Sequence, residues 1–261
     1  MIVRDHSDRY ILIEQDNHAH ISGKLAANWQ EALFQGDRVR KAVEFAIYHH
    51  DLGWRLLDKQ PFWNDKSNRP YTFLDFPELP KTVFYKHGID EVEQNDTYAG
   101  LLCSRHYTRF LENSTLEEAR LFVQHEKRRQ QRIKQSLPAF DQASFDFHYG
   151  LLQFCDNVSL YICLNEPGAA KEQEHPFFKD GIPIPDSFAF LKQKKAEVAW
   201  MNDQTIMMDV FPFNGSVDVM LKQKTVTKES ILEKGVIESY QNAPLQQTTI
   251  MIEAKEGYIT N

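Results

Sequence analysis

A stripe of apolar residues at helical spacing ends on a histidine. Val39, Ala42, Val43, Ala46 and Ile47 recur with the helical period, and His50 continues the series. At about 3.6 residues per turn these side chains share one face of a helix over residues 38–50, and so apolar a face is buried. His50 therefore points into the protein, with Asp51 directly after it. His49 is rotated about 100° away. Gly53, in the following Leu52-Gly53-Trp54, offers a helix end. A carboxylate buried beside an imidazole is costly unless a partner or a cation takes up the charge. Residues 48–54 therefore require an enclosed polar centre, and the rest of the chain has to supply its partners.

Two more helical stripes carry metal-capable residues. Ala99, Leu102, Cys103, His106 and Phe110 align in a helix over residues 89–112, with His106 on the buried face. Over residues 141–164, Tyr149, Leu152, Asp156, Ser159, Leu160 and Cys163 share a face on which Asp156 alone is charged. His20 falls in the first turns of a helix that Asp16 or Asn17 can cap and that runs to about residue 29. His20, His50, Asp51 and Asp156 give two imidazoles and two carboxylates, a set suited to one divalent ion with water positions left open. His87, at the edge of a loop, and His106 would supply a second ion, with Asp51 bridging the two. The donor set does not choose between iron, manganese, magnesium, zinc and nickel, nor between one ion and two. His18 reads as a hydrogen-bonding neighbour on a different face, and His148 as core packing. His6, His125 and His175 read as surface residues.

The remaining segments set the architecture. Residues 1–14 read as a hairpin around His6-Ser7-Asp8. Residues 59–82 carry Pro61, Pro70, Pro77 and Pro80 among five aromatic residues, the pattern of a packed functional loop. Ser114 and Glu117 form a capping-box pattern opening a charged helix to about residue 137, whose residues 126–132 read as a solvated face. Beyond residue 196 the period changes to two, with Asn214-Gly215 as a hairpin signal. A helix over residues 227–240 and a last alternating run over residues 247–254 follow.

With 42% apolar residues and 18 Phe, the chain can build a large core, and a net charge of −7 argues against general binding to nucleic acid or anionic membranes. No run of about 18 apolar residues occurs, and the first thirty residues lack a signal-peptide pattern. Three cysteines without a C-x-x-C spacing suit buried thiols in a reducing cytoplasm.

The order His20, His50-Asp51, Asp156 on helices resembles the H…HD…D signature of the HD superfamily, helical metal-dependent phosphohydrolases. His87 and His106 between the doublet and the last aspartate resemble its two-metal members, which include cyclic-dinucleotide phosphodiesterases and a mixed-valent di-iron oxygenase branch. His20-Ile21-Ser22-Gly23, residues 50–54, residues 69–73, residues 101–106 and residues 154–161 are similar to a bacterial HD-like family of unknown function. The Gly-Tyr-Pro hallmark of the cyclic-dinucleotide branch is absent, and Gly53-Trp54 stands where many members have Gly-Lys or an acid.

The resemblance implies a mainly α fold with an HD-like helical domain, to which the alternating C-terminal runs append a small antiparallel β-sheet, α+β overall. Residues 1–168 would form the metal-binding domain with its N-terminal hairpin, residues 169–195 an irregular connection, and residues 196–261 a β-rich annex on the same unit. The activity it implies is a metal-dependent phosphohydrolase; a di-iron oxygenase or a non-catalytic binding module are the alternatives. Asp51 and His49 would serve catalysis, and Lys24, Arg69, Arg105 and Arg109 would contact a small phosphorylated substrate. A cytoplasmic protein without nucleic-acid or membrane partners, compatible with a homo-oligomer, completes the expectation.

Overall fold

The computed structural model describes residues 1–255. The chain opens with the antiparallel hairpin of β1 (Ile2–Asp5) and β2 (Arg9–Ile13). α1 (Gln15–Ala27) and α2 (Arg40–Tyr48) follow, and a 3-10 turn over Leu52–Trp54 carries the chain past Asp51. A short hairpin of β3 (Trp63–Asn64) and β4 (Arg69–Pro70) precedes α3 (Glu78–Asn95), α4 (Thr97–Arg109), α5 (Glu117–Ser136) and α6 (Gln142–Leu164). β5 (Ile182–Pro183) pairs with β6 (Lys195–Ala196). Then come β7 (Val198–Trp200), β8 (Thr205–Met208), β9 (Val217–Thr227), α7 (Lys228–Asn242) and β10 (Leu245–Ala254).

A small antiparallel appendage is not what the C-terminal strands form. They join the N-terminal hairpin in one curled six-stranded sheet, ordered β1-β2-β9-β10-β8-β7. Helix accounts for 48% and strand for 18% of the described residues, so the fold is α+β with a major sheet rather than mainly α. The sheet is also mixed, because β8 runs parallel to β10. Alternation marks a strand but not its partner, and here Arg9 pairs with Thr227 from the far end of the chain. Asn214-Gly215 does not make a hairpin either. β8 and β9 are not neighbours, and the segment between them is stitched to the end of α1. The Asn214 amide donates to the Asn28 carbonyl at 2.8 Å, and Gln30 N–H donates to the Pro212 carbonyl at 3.0 Å. Residues 256–261 of the expected annex lie outside the described residues.

The helical half differs from the sequence reading in three places. The expected single helix over 89–112 is two, because Asp96 adopts an extended backbone and its carboxylate caps α4 by accepting from Ala99 N–H at 2.8 Å. α3 already begins at Glu78, so His87 is helical and not in a loop. The charged helix α5 is not solvated throughout. Glu126 is fully buried and Arg129 nearly so, held against α3. Ser114 bonds Glu78 and caps nothing at N3.

α6 runs through the centre of the core and packs on α1, α2 and α4. Trp29, fully buried after α1, meets Phe147, Phe154 and Phe213 edge-on, tying the helices to the sheet side of the core. α3 crosses the turn after Asp51 at a point where only glycine fits. A Cβ on Gly88 would come within 2.5 Å of the Gly53 nitrogen. That close approach fixes the backbone on which Asp51 stands. Among the described residues no helix is long and apolar enough to cross a membrane.

Candidate metal centre

Four helical segments deliver donors to one point: His18 from α1, His50 and Asp51 after α2, His106 from α4 and Asp156 from α6. All five are buried. His18 Nε2 lies 3.2 Å from Asp51 Oδ2, 3.5 Å from Asp156 Oδ1 and 3.2 Å from His50 Nε2. His50 Nε2 is 3.6 Å from Asp156 Oδ1, and His106 Nε2 is 3.8 Å from Asp51 Oδ1.

The outward nitrogens fix which atoms face the centre. His50 Nδ1 lies 2.7 Å from the Ile47 carbonyl, which can only accept, so Nδ1 carries the proton and Nε2 presents a lone pair. Ser159 Oγ donates to the Asp156 backbone carbonyl at 2.8 Å and accepts from His18 Nδ1 at 2.6 Å, which leaves His18 Nε2 unprotonated as well. Two lone pairs 3.2 Å apart repel unless a proton or a metal cation lies between them. With metal–ligand bonds of about 2.1 Å, neighbouring donors stand about 3.0 Å apart in an octahedron and about 3.4 Å in a tetrahedron. The observed separations of 3.2–3.8 Å are close to the edges of such a polyhedron. Buried His and Asp are donors that suit a divalent transition ion, and the residues fit one.

The side chains alone are tuned by one another. Burial disfavours the His50 imidazolium, but the charges of Asp51 and Asp156 outweigh it and raise the pKa to about 9. Burial would raise the Asp51 carboxyl, yet His50 foremost, with His106 and His18, holds it well below the usual carboxylate range. Asp156 is likewise held at about 2, against burial, chiefly by His50. Burial brings His106 down to about 4 in spite of Asp51. A proton on His50 thus fills the role a cation would fill.

The donors form the floor of a pocket of about 770 Å³. His18, Asp51, His106 and Asp156 reach it, with Gln15 beside them. Gln15 Nε2 donates to Asp51 Oδ2 at 3.0 Å, while the buried Gln15 Oε1 has no partner among the described residues. The walls are aromatic, including Trp54, Phe73, Phe76, Tyr85 and Phe110.

Of the residues singled out in the sequence, His50, Asp51, His106 and Asp156 come together. His20 does not join them. It stacks on Tyr48 at 4.2 Å and faces Asp16 at 3.6 Å. His18 holds that place, and the helical phase that selected His50 would have selected it. Ser22, Leu25, Ala26 and Trp29 continue a buried stripe from His18, whereas His20 lies about 200° away. His87 faces Glu91 at 3.6 Å and is 46% exposed. His49 packs against Phe45 and Tyr48, off the pocket wall. Among the expected substrate contacts, Arg109 lines the pocket. Arg69 is bound to Asp75 at 2.7 Å, Arg105 to Glu112 at 3.0 Å, and Lys24 is exposed. Gln15 and Lys81 were not anticipated from the sequence.

Comparison with curated proteins and with solved structures found no match. A family model does match, over residues 1–228: the chain belongs to the family described as Protein of unknown function (DUF3891).

Proposed function

We propose that the protein is a metal-dependent phosphohydrolase of HD-like type, acting on a small phosphorylated molecule and holding one divalent ion with His18, His50, Asp51, His106 and Asp156. The observation that carries the reading is the convergence of five buried donors on the floor of a pocket with cations in its wall. The two possible donor triplets, His18-His50-Asp51 and His50-His106-Asp156, share His50. His50 has a single free nitrogen, so both triplets describe one ion. His87 lies apart on the Glu91 side of α3, which favours this over a two-ion centre.

A divalent ion there supplies charge to polarise a phosphoryl oxygen and to acidify water. The chain does the rest. Asp51 and Asp156 stay ionised and hold position, and so act as ligands and not as proton carriers. Ser159 and the Ile47 carbonyl fix the His18 and His50 rings. Gln15 steadies Asp51 and keeps Oε1 available to accept from water or a substrate hydroxyl. The aromatic walls limit bulk water over the floor.

The test is phosphate release from p-nitrophenyl phosphate and a panel of phosphomonoesters by protein reconstituted with manganese, iron or zinc. Release should need the ion and fall at least about a hundredfold in His106→Ala. Fully loaded protein that releases no phosphate from any of them would overturn the reading.

A further inference from the structure

The wall of the pocket holds two cations, Lys81 and Arg109, that form no direct ion pair with the carboxylates beside them, Asp75 and Glu78. Lys81, on α3, is 8% exposed and lines the pocket; Arg109, the last residue of α4, lines it too. Among the described residues neither has a carboxylate within ion-pairing distance, although acids lie close by. Asp75 is paired to Arg69 and accepts from Thr72, while Glu78 accepts from the Ser114 hydroxyl and keeps its charge. The Lys81 ammonium donates to the Phe73 carbonyl at 2.9 Å, which leaves two of its three protons without a protein acceptor among the described residues. Elsewhere on the helices the chain does pair such groups. Arg105 has Glu112, and Arg129 has Asp90, Glu93 and Glu126. A buried cation without a direct counterion is costly: burial pushes the Lys81 ammonium down, and the charges of Glu78 and Asp75 offset this only in part. An anion arriving in the pocket would remove that cost.

The surroundings of both cations are aromatic. Lys81 Nζ stands 5.9 Å from the Trp54 ring centre, and the Arg109 guanidinium 4.8 Å from that of Phe110. Phe76 and Tyr85 meet Trp54 edge-on at 5.6 and 5.9 Å, making a continuous ring-lined surface. A pocket of about 770 Å³ has room for a ligand well beyond inorganic phosphate.

We propose that this pocket selects phosphomonoesters whose alcohol part is a flat, apolar or aromatic body, with Lys81 and Arg109 contacting the phosphoryl oxygens and the Trp54–Phe76–Tyr85 surface contacting the body. The proposal rests on the phosphohydrolase reading for its ester. Its binding half stands apart from turnover.

Phosphonates, which are not hydrolysed, test the binding half on the metal-loaded chain by titration calorimetry. Phenylphosphonate should bind at least about tenfold tighter than methylphosphonate. Lys81→Met and Arg109→Met should each weaken phenylphosphonate about tenfold with metal content unchanged. Arg109, half-buried at a helix end, gives the answer if Lys81→Met fails to fold, which thermal melts would reveal. Equal binding of the two phosphonates overturns the apolar body. Undiminished binding in the folded variants overturns the two cations as anion contacts, and phenylacetate binding as tightly as phenylphosphonate overturns the phosphoryl preference. If phenylphosphonate binds as expected but phenyl phosphate is never cleaved, the pocket assignment stands and the phosphohydrolase reading falls. Cleavage of phenyl phosphate without any preference for the phenyl group does the reverse.

Discussion

Two buried clusters of charge lie on opposite faces of α4, and they are balanced in opposite ways. Ser104 reaches one: its hydroxyl donates to Glu126 at 2.8 Å, and Glu126 is ion-paired to Arg129 at 3.0 Å. Arg129 is paired in turn to Glu93 at 2.5 Å and to Asp90. His106, two residues on and so about 200° around the helix, reaches the other. There, three histidines and two carboxylates converge, and among the described residues no arginine or lysine pairs with them. With Lys86 on Asp90 and Arg132 on Glu93, the first cluster sets three cations against three carboxylates and locks α5 onto α3. The second has an excess of electron-pair donors and opens onto a pocket. A buried charged group is thus no sign of function by itself; what separates the two clusters is whether the protein supplies the opposite charge.

Perturbing each cluster should separate stability from chemistry. The largest effect is expected from Arg129→Met, which leaves Glu126 buried with no cation. Breaking a buried pair in this way costs about 3–5 kcal/mol, read as a fall in the denaturation midpoint, with metal uptake per folded chain unchanged. Equal loss of metal would mean that the clusters are coupled through α4.

A smaller contrast is expected from pH, measured on metal-free protein. The His50 pKa is raised to about 9, so its contribution to stability is fully present below about 6.5 and lost as pH rises from there to about 9. His106 is depressed to about 4, so stability falls as pH drops from about 6.5 towards 4. In the Arg129 cluster, burial foremost raises the Glu126 carboxyl, so its ionisation costs stability as pH rises above the ordinary carboxylate value. The cluster's Asp90 is held below the usual carboxylate range, mainly by hydrogen bonds from Lys86 and Arg129 against burial, and loses its contribution only as pH falls below the ordinary carboxylate value. Metal-free wild type should therefore melt highest near pH 6.5, and Arg129→Met should keep that optimum while melting lower. An optimum unchanged in His50→Gln would separate the profile from His50.

Helical phase made much of the site legible. His50, His106 and Asp156 each sat alone on an apolar stripe, and each is buried at the centre. His20 and His18 fit the H…HD…D order equally well, and only the phase of α1 separates them, through buried Ser22 and Trp29. Lys81 was hidden for a different reason. A lysine in a proline- and aromatic-rich stretch has no period to betray its burial. Glu126 and Arg129 were hidden in a charge run whose counterions come from α3, some forty residues earlier. The sheet was legible strand by strand, and its order was not, since β2 meets β9 across more than two hundred residues.

The most direct test compares two histidines two positions apart in the chain, His18 and His20. Wild type, His18→Ala and His20→Ala are purified from metal-supplemented cultures, and bound metal per folded chain is determined by elemental analysis. One equivalent of a divalent transition ion is expected in wild type and in His20→Ala, and at least about tenfold weaker retention in His18→Ala. Metal retained by His18→Ala and lost from His20→Ala, or no metal in any of the three, would contradict the account.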